Sequence, residues 1–182
     1  MNAPPAFRRQ LLASIPRLRR YARSLLFDPS AADDLVQTTL ERALARWQQF
    51  DEKRELLVWV IGIAHNAFMD ERRRAARQPA TEHDDSRHGP DTQPAPLDDP
   101  GLRLDLLAAL ARLSVEQREP LLLVTVEQLS YAECAEILGI PIGTVMSRVS
   151  RARSVLRGLL EAHASPERTR SGPRRTAQTT EP

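Results

Sequence analysis

Residues 130–149 carry a pattern that predicts two short helices joined by a tight turn. Ser130 and Glu133 have the spacing of a capping box, in which hydroxyl and carboxylate each accept a backbone N–H at the start of a helix. Gly139 follows the last apolar residue of that helix, where a left-handed glycine can end it. Thr144 is predicted to cap the second helix, because Pro141 and Gly143 disfavour helix before it. The pattern is typical of a DNA-binding helix-turn-helix.

The second helix of this pair has one apolar and one polar face. Val145, Val149, Ala152 and Leu156 recur at helical spacing and are expected to be buried. Hydroxyl side chains and arginines on the other side can approach phosphates and base edges closely. The expected DNA contacts are Thr144, Ser147, Arg148, Arg151 and Arg153. An ordinary helical hairpin with a solvated polar face is the alternative interpretation of this segment.

A helix predicted over residues 56–76 has an unusual outward face. Its buried stripe is expected to comprise Leu57, Ile61, Ala64 and Phe68, and the residues that project opposite are Trp59, Ile63, Asn66, Asp70 and Arg73. An aromatic ring, an amide and an arginine on one face could hold unstacked bases of single-stranded DNA. Alternatively, Trp59 packs against a neighbouring helix and Asp70 pairs with Arg73 or Arg74. The pattern leaves both interpretations open.

The rest of the chain predicts an all-α protein of two small helical domains joined by a flexible linker. Helical spacing of apolar residues begins at Leu11 and stops at Asp28-Pro29, and Ser30 with Asp33 indicates a cap for the next helix. The predicted domains are residues 1–78 and 102–163. Residues 79–101 are rich in Pro and Asp and predict an acidic linker, and residues 164–182 predict a disordered basic tail.

Charge is distributed unevenly along the 182 residues, although the formal net charge is only +2. Arginines occur in clusters on both predicted domains and in the tail, whereas acids concentrate in the predicted linker and at Asp33, Asp34 and Glu41. This separation favours a protein that contacts a polyanion with one surface and a basic protein surface with another.

Composition argues against several other classes of protein. The single cysteine, Cys134, cannot form an internal disulfide and is expected to be a buried thiol. The four histidines lack the spacing of metal ligands, and no catalytic constellation is evident, so we expect a binding protein with no cofactor and no metal rather than an enzyme. Without a membrane-spanning run or a signal-peptide core, a cytoplasmic location is expected.

Three blocks of the sequence together resemble the small bacterial sigma factors of the extracytoplasmic-function (ECF) group. They are residues 31–43, residues 59–74 and the end of the helix-turn-helix at residues 143–153, in that order. The resemblance covers about residues 8–78 and 102–160. Met146 departs from the family pattern, which commonly has a lysine at this position. With methionine in place of lysine, one expected phosphate contact is removed.

The resemblance implies three interaction surfaces and their partners. The acidic helix would bind the β′ clamp helices of core RNA polymerase, with the β flap as a further contact, and a second surface would capture the melted −10 promoter element. The helix-turn-helix residues given above would read the −35 element as duplex. The polymerase-binding residues would be Asp33, Asp34, Leu35, Gln37 and Glu41, and the −10 residues would be Phe50, Asp51, Lys53, Trp59, Asn66, Asp70 and Arg73.

A small anti-sigma protein is a further expected partner, because exposed apolar and DNA-binding faces need covering when such a factor is idle. Two alternatives to a sigma factor remain at this point. One is a helix-turn-helix regulator that works without polymerase. The other is a sigma-like decoy that sequesters an anti-sigma protein without supporting transcription.

Overall fold

The computed structural model describes residues 3–77 and 100–163, and within these ranges the chain contains α-helices, one short 3₁₀ helix and no strand. The expected all-α fold is confirmed. The predicted linker lies outside the described residues except for its last two positions, and the predicted tail lies outside them entirely. None of the described helices is long and apolar enough to cross a membrane.

Three helices form what we call the N-terminal unit: α1 (Pro5–Leu26), α2 (Pro29–Ala45) and α3 (Leu56–Ala75), with a 3₁₀ helix at Trp47–Gln49. Helix α1 begins six residues before the apolar pattern predicts, because Pro5 occupies its first turn and Phe7 is buried. It ends at Phe27, which adopts a left-handed conformation (φ 59°).

The start of α2 corrects one expectation. Asp28, rather than Ser30, is the capping residue, and its carboxylate accepts the backbone N–H of Ala31 at 2.8 Å. Pro29 fixes this register, since proline is favoured at the first helical position and requires the cap directly before it. In α3, by contrast, the predicted stripe of Leu57, Ile61, Ala64 and Phe68 is buried as expected.

Four helices form the C-terminal unit: α4 (Pro100–Ala111), α5 (Val115–Thr125), α6 (Tyr131–Leu138) and α7 (Ile142–His163). The predicted capping box of α6 is confirmed: the Glu133 N–H donates to Ser130 Oγ at 3.2 Å, and the Ser130 N–H donates to the Glu133 carboxylate at 2.8 Å. Gly139 ends α6 with a φ of 63°, also as predicted.

The predicted cap of α7 is wrong. Helix α7 begins at Ile142, and the carbonyl of Pro141 accepts the N–H groups of Thr144 and Val145, so Thr144 lies inside the first turn. Gly143 lies within this turn, where a Cβ added to it would meet no neighbouring atom within 4 Å. The apolar stripe is as predicted, with Val145, Val149 and Ala152 buried and Leu156 half-buried.

The two units pack against each other rather than standing apart. Helix α1 contacts α5, and α3 contacts α6. As a result, one hydrophobic cluster runs from Phe7 and Leu18 in α1, through Ile61 in α3, to Leu123 in α5 and Val149 in α7. This arrangement places α6 over the face of α3 that the sequence predicts to be outward.

Candidate nucleic-acid interface

The acidic face of α2 is open to solvent. Asp33, Asp34, Gln37 and Glu41 are exposed, whereas Leu35 is buried in the core and supports the helix from beneath. Arg19 of α1 donates to Asp33 Oδ1 at 3.0 Å, and Gln37 donates to Glu41 at 3.0 Å. Because the ion pair is exposed on both sides, it contributes little stability and leaves the carboxylates available to a basic partner.

Trp59 and Ile63 are covered rather than outward. The Trp59 ring packs near Phe50 and Phe7, with ring centroids 5.4 and 6.1 Å away, and Ile63 is 8% exposed. The alternative in which Trp59 packs against a neighbour is therefore correct, and Phe50 is part of the same aromatic cluster. Helical periodicity could not reveal this cover, because it comes from α1, the loop before α3 and the C-terminal unit.

Asn66 remains exposed on α3, at the edge of a cleft of roughly 250 Å³. Polar groups from the N-terminal unit and residues from α6 surround it. The lining residues are Arg46, Gln49, Arg54, Val58, Trp59, Gly62, Ile63, Asn66, Glu136 and Ile137. Sequence reasoning missed Arg46, which lies at the end of α2 with no periodic pattern to single it out, whereas Gln49 and Arg54 fall within the loop of residues 48–54 that the resemblance assigns to the −10 element.

The other predicted −10 residues, apart from Trp59, do not line this cleft. Asp70 accepts from Arg42 of α2 at 3.1 Å and lies 4.0 Å from Arg73, so its ion pairing extends beyond the predicted pair on the same helix. Asp51 accepts the backbone N–H of Lys53 at 3.0 Å, which shapes the loop before α3, and both side chains are exposed.

The side chains on the polar face of α7 differ in their exposure to solvent. Arg151 and Arg153 are exposed, whereas Ser147 is half-buried and donates to the Thr144 carbonyl at 2.9 Å. Arg148 donates to Glu116 of α5 at 3.1 Å, a pair within the C-terminal unit that holds its guanidinium against the helix bundle. Met146 is 49% exposed on the same surface.

Buried charges between the two units were not anticipated from the sequence. Glu119 accepts from the Tyr21 hydroxyl at 2.7 Å and lies 2.7 Å from His65 Nδ1. Burial, together with the negative charge of Glu119, raises the pKa of Tyr21 well above its ordinary value. The only available signal was the placement of charged residues 118 and 119 directly before an apolar run.

Arg118 lies beside this carboxylate, with its guanidinium 4.6 Å from the centre of the Phe27 ring. Burial and the nearby Arg72 lower the pKa of Arg118, which Glu119 partly opposes. Cys134 is fully buried, as predicted, and burial raises the pKa of its thiol to about 12. Among the described residues, no group of His, Cys, Asp and Glu side chains is placed to hold a metal ion.

Comparison with known proteins extends over most of the chain. Residues 103–156 match the family model for Sigma-70, region 4, and residues 11–65 match that for the Sigma2 domain of PhyR. The ECF RNA polymerase sigma factor EcfG of Rhodopseudomonas palustris is 38% identical over 161 residues, covering 88% of each protein. This chain is a member of the ECF sigma factor family.

Two further comparisons agree with this assignment. The ECF sigma factor SigC of Mycobacterium tuberculosis is 34% identical over 139 residues, covering 72% of this chain and 71% of SigC. The structure of the Bartonella quintana sigma factor RpoE in complex with the anti-sigma factor NepR superposes with a TM-score of 0.70 at 33% identity, covering 87% of this sigma factor and 98% of that chain. As an ECF sigma factor, the chain directs promoter-specific transcription initiation by RNA polymerase.

Proposed function

We propose that the three surfaces of this sigma factor divide its task. The exposed acids of α2 bind a basic or amide-rich surface of core polymerase, the cleft around Asn66 holds the melted −10 strand, and the outer face of α7 reads the −35 duplex. The coexistence of these three surfaces on one chain is the observation that carries the proposal. It favours a specificity subunit that performs no chemistry of its own and works in the cytoplasm, where the polymerase is.

The −10 surface is supported by the chemistry of its exposed groups. Asn66 offers an amide that can pair bidentately with adenine. Arg46 and Gln49 line the same cleft and offer further donors for phosphates and bases. Trp59 contributes the apolar floor beneath them, in contact with Phe50.

The −35 surface is supported by the exposure of Arg151 and Arg153 on a helix that follows a confirmed capping box and a tight turn. In helix-turn-helix proteins the second helix lies in the major groove, and its polar residues contact base edges. Arg148 joins this surface only after it exchanges Glu116 for a phosphate or a base.

An anti-sigma protein is proposed as the partner of the idle factor. The similar structure of RpoE was solved in complex with NepR, and the first 65 residues include a match to the Sigma2 domain of PhyR. An intact polar face on α7 favours the transcription factor over the decoy, since a decoy needs no DNA-reading surface.

Run-off transcription with purified core polymerase tests the proposed function directly. The wild-type chain should support initiation on genomic promoter fragments, and the double variant Asp33→Ala/Asp34→Ala should bind core polymerase more weakly. Glu71→Ala is the matched control, because Glu71 is an exposed acid on α3 that pairs only with Arg74 among the contacts described. A chain that binds an anti-sigma protein but never initiates would establish the decoy instead.

A further inference from the structure

The outer face of α7 begins with apolar side chains rather than polar ones. Ile142 is 45% exposed and Met146 is 49% exposed, and they are surface neighbours because they lie four residues apart on the helix. The exposed residues that follow them on α7 are mostly serines and arginines. Ile142 and Met146 therefore form an apolar patch at one end of a largely polar surface.

A recess lies beside this patch at Gly143. On a helix surface Gly143 adjoins both Met146 and Ser147, three and four residues further along. Gly143 is exposed, and a Cβ added to it would meet no atom within 4 Å, so the space above its backbone is open. The Ser147 hydroxyl donates to the Thr144 carbonyl at 2.9 Å, so its hydrogen is already engaged within the helix. The recess thus suits an apolar group better than a polar one.

The patch and the recess occupy the first two turns of α7. Gly139 ends α6, and α7 begins at Ile142 directly after the turn. In helix-turn-helix proteins, the N-terminal residues of the second helix are those that contact base edges in the major groove. The present inference rests on the proposed function at this step, because it takes α7 to be the helix that reads the −35 duplex.

The base edges of the major groove offer few partners for an apolar side chain. Their distinctive groups are hydrogen-bond donors and acceptors, apart from the C5-methyl group of thymine. A flexible thioether such as that of Met146 can adapt its shape to a small alkyl group. Gly143 permits close approach of the DNA, since it places no side chain between the helix backbone and the base.

The charges along α7 favour DNA over an apolar segment of a protein as the occupant. Arg153 and Arg157 are exposed and lie seven and eleven residues after Met146, within about 20° of it around the helix axis. Arg151 is exposed on the adjoining side. Cations in this position can contact the phosphates that flank a base held at the patch.

We infer that Met146, together with Ile142 and the recess at Gly143, reads the C5-methyl group of a pyrimidine in the −35 element. Thymine is the ordinary source of this group, and 5-methylcytosine presents the same group in the same place. Met146 is then a specificity-determining residue. Unlike a phosphate contact, its contact with the methyl group releases no counterions and contributes no salt dependence.

Replacement of thymine by deoxyuridine tests the inference, because deoxyuridine lacks only the C5-methyl group. Each thymine in the −35 region of a promoter that the wild-type holoenzyme transcribes is replaced singly, and holoenzyme binding is measured by competition gel shift. One replacement should weaken binding about four-fold, the effect of losing one buried methyl group. Met146→Ala should bind the thymine and deoxyuridine duplexes equally. Val155→Ala should retain the difference, since Val155 is an exposed apolar residue on the other side of α7.

Two further variants separate a role in recognition from a role in folding. Gly143→Ala fills the recess and should reduce the methyl effect, yet it should not lower the melting temperature, because alanine favours helix more than glycine. Met146→Lys should abolish the methyl effect and make the affinity fall more steeply with salt, by about one unit in a plot of log affinity against log salt concentration.

Single replacements of cytosine by 5-methylcytosine distinguish the two sources of the methyl group. If thymine is the source, the deoxyuridine series shows the loss. If methylated cytosine is the source, one 5-methylcytosine should tighten binding by a similar factor, and Met146→Ala should remove that gain. A holoenzyme that initiates at the promoter but responds to neither series would overturn the inference, as would a Met146→Ala variant that keeps the full methyl effect.

Failure of the proposed function appears separately, as absent run-off transcription by the wild-type chain before any modified base is introduced. The same replacements are then made in duplexes that the full-length chain selects from a random pool, because a regulator that works without polymerase would use the same face of α7. A chain that neither initiates nor selects a duplex would overturn both the proposed function and the reading of a methyl group.

Discussion

Asn66 is an exposed amide on a helix whose neighbouring large side chains are covered. Asn66 could be predicted as a candidate DNA-contacting residue from its residue type and from its position on the face opposite the buried stripe of α3. The covering of Trp59 and Ile63 on the same face by other parts of the chain could not be predicted. Their cover comes from Phe7, about fifty residues earlier, and from Ile137, more than seventy residues later, and no local period contains that information.

Replacing Asn66 with alanine should impair promoter opening more than closed-complex binding. The amide is expected to contact a base only after the strands separate, and such a contact is worth about 1–3 kcal/mol. Permanganate reactivity of promoter thymines measures opening, and gel shifts of the holoenzyme on duplex measure the closed complex. Glu71→Ala on the same helix is the control, and equal loss in both assays would remove Asn66 from the −10 surface.

Tyr21→Phe should destabilise the chain by about 1.5–3 kcal/mol, since the Tyr21 hydroxyl donates to a buried carboxylate. The variant keeps the ring that fills the core and leaves Glu119 with His65 as its remaining described partner. Urea unfolding followed by circular dichroism gives the difference. Tyr131→Phe, at a half-buried position on α6, should change stability by less than about 0.5 kcal/mol. Similar effects of both variants would contradict the role of Tyr21.

At the scale of elements, local signals predicted α6 and misplaced the starts of α2 and α7. The capping box and Gly139 lie directly at the two ends of α6, so the local sequence contains all the residues that begin and end this helix. The starts of α2 and α7 were misassigned for one shared reason. In each case a proline lies at the helix boundary: Pro29 is the first residue of α2, whereas Pro141 directly precedes α7 and its carbonyl accepts the N–H groups of Thr144 and Val145. Both helices therefore begin earlier in the chain than predicted.

The capping box gives α6 a pH-dependent stability. Hydrogen bonds from the Ser130 hydroxyl and backbone N–H lower the pKa of Glu133 below its ordinary value of 4.5. The carboxylate therefore stabilises the fold above the ordinary glutamate pKa, and this contribution is lost as the pH falls through the lower folded value. Glu133→Gln should lower the melting temperature at pH 7 and lose that effect in acid. Glu161→Gln on α7 provides the control, and a difference that persists in acid would contradict the argument.

The outer face of α7 should read the −35 element through its exposed arginines. Arg151→Ala should weaken holoenzyme binding to promoter duplex by about 1–3 kcal/mol if it contacts a base bidentately, with relaxed specificity at one position. Arg157→Ala, an exposed arginine further along α7, should cost less and act alike on all sequences. Competition gel shifts with single-base substitutions separate the two effects, and an identical sequence profile for wild type and Arg151→Ala would assign Arg151 to the backbone.

At the scale of the whole molecule, sequence patterns predicted two helical units but not their contact. Besides the shared hydrophobic cluster, the units are joined by charged or polar side chains (Arg17, Arg20, His65, Glu119 and Glu127), and such residues are ordinarily assigned to solvent. The two residues of each pair lie between 54 and 110 residues apart in the chain. Pairing of this kind depends on the three-dimensional arrangement of both units and leaves no periodic pattern in the sequence of either unit.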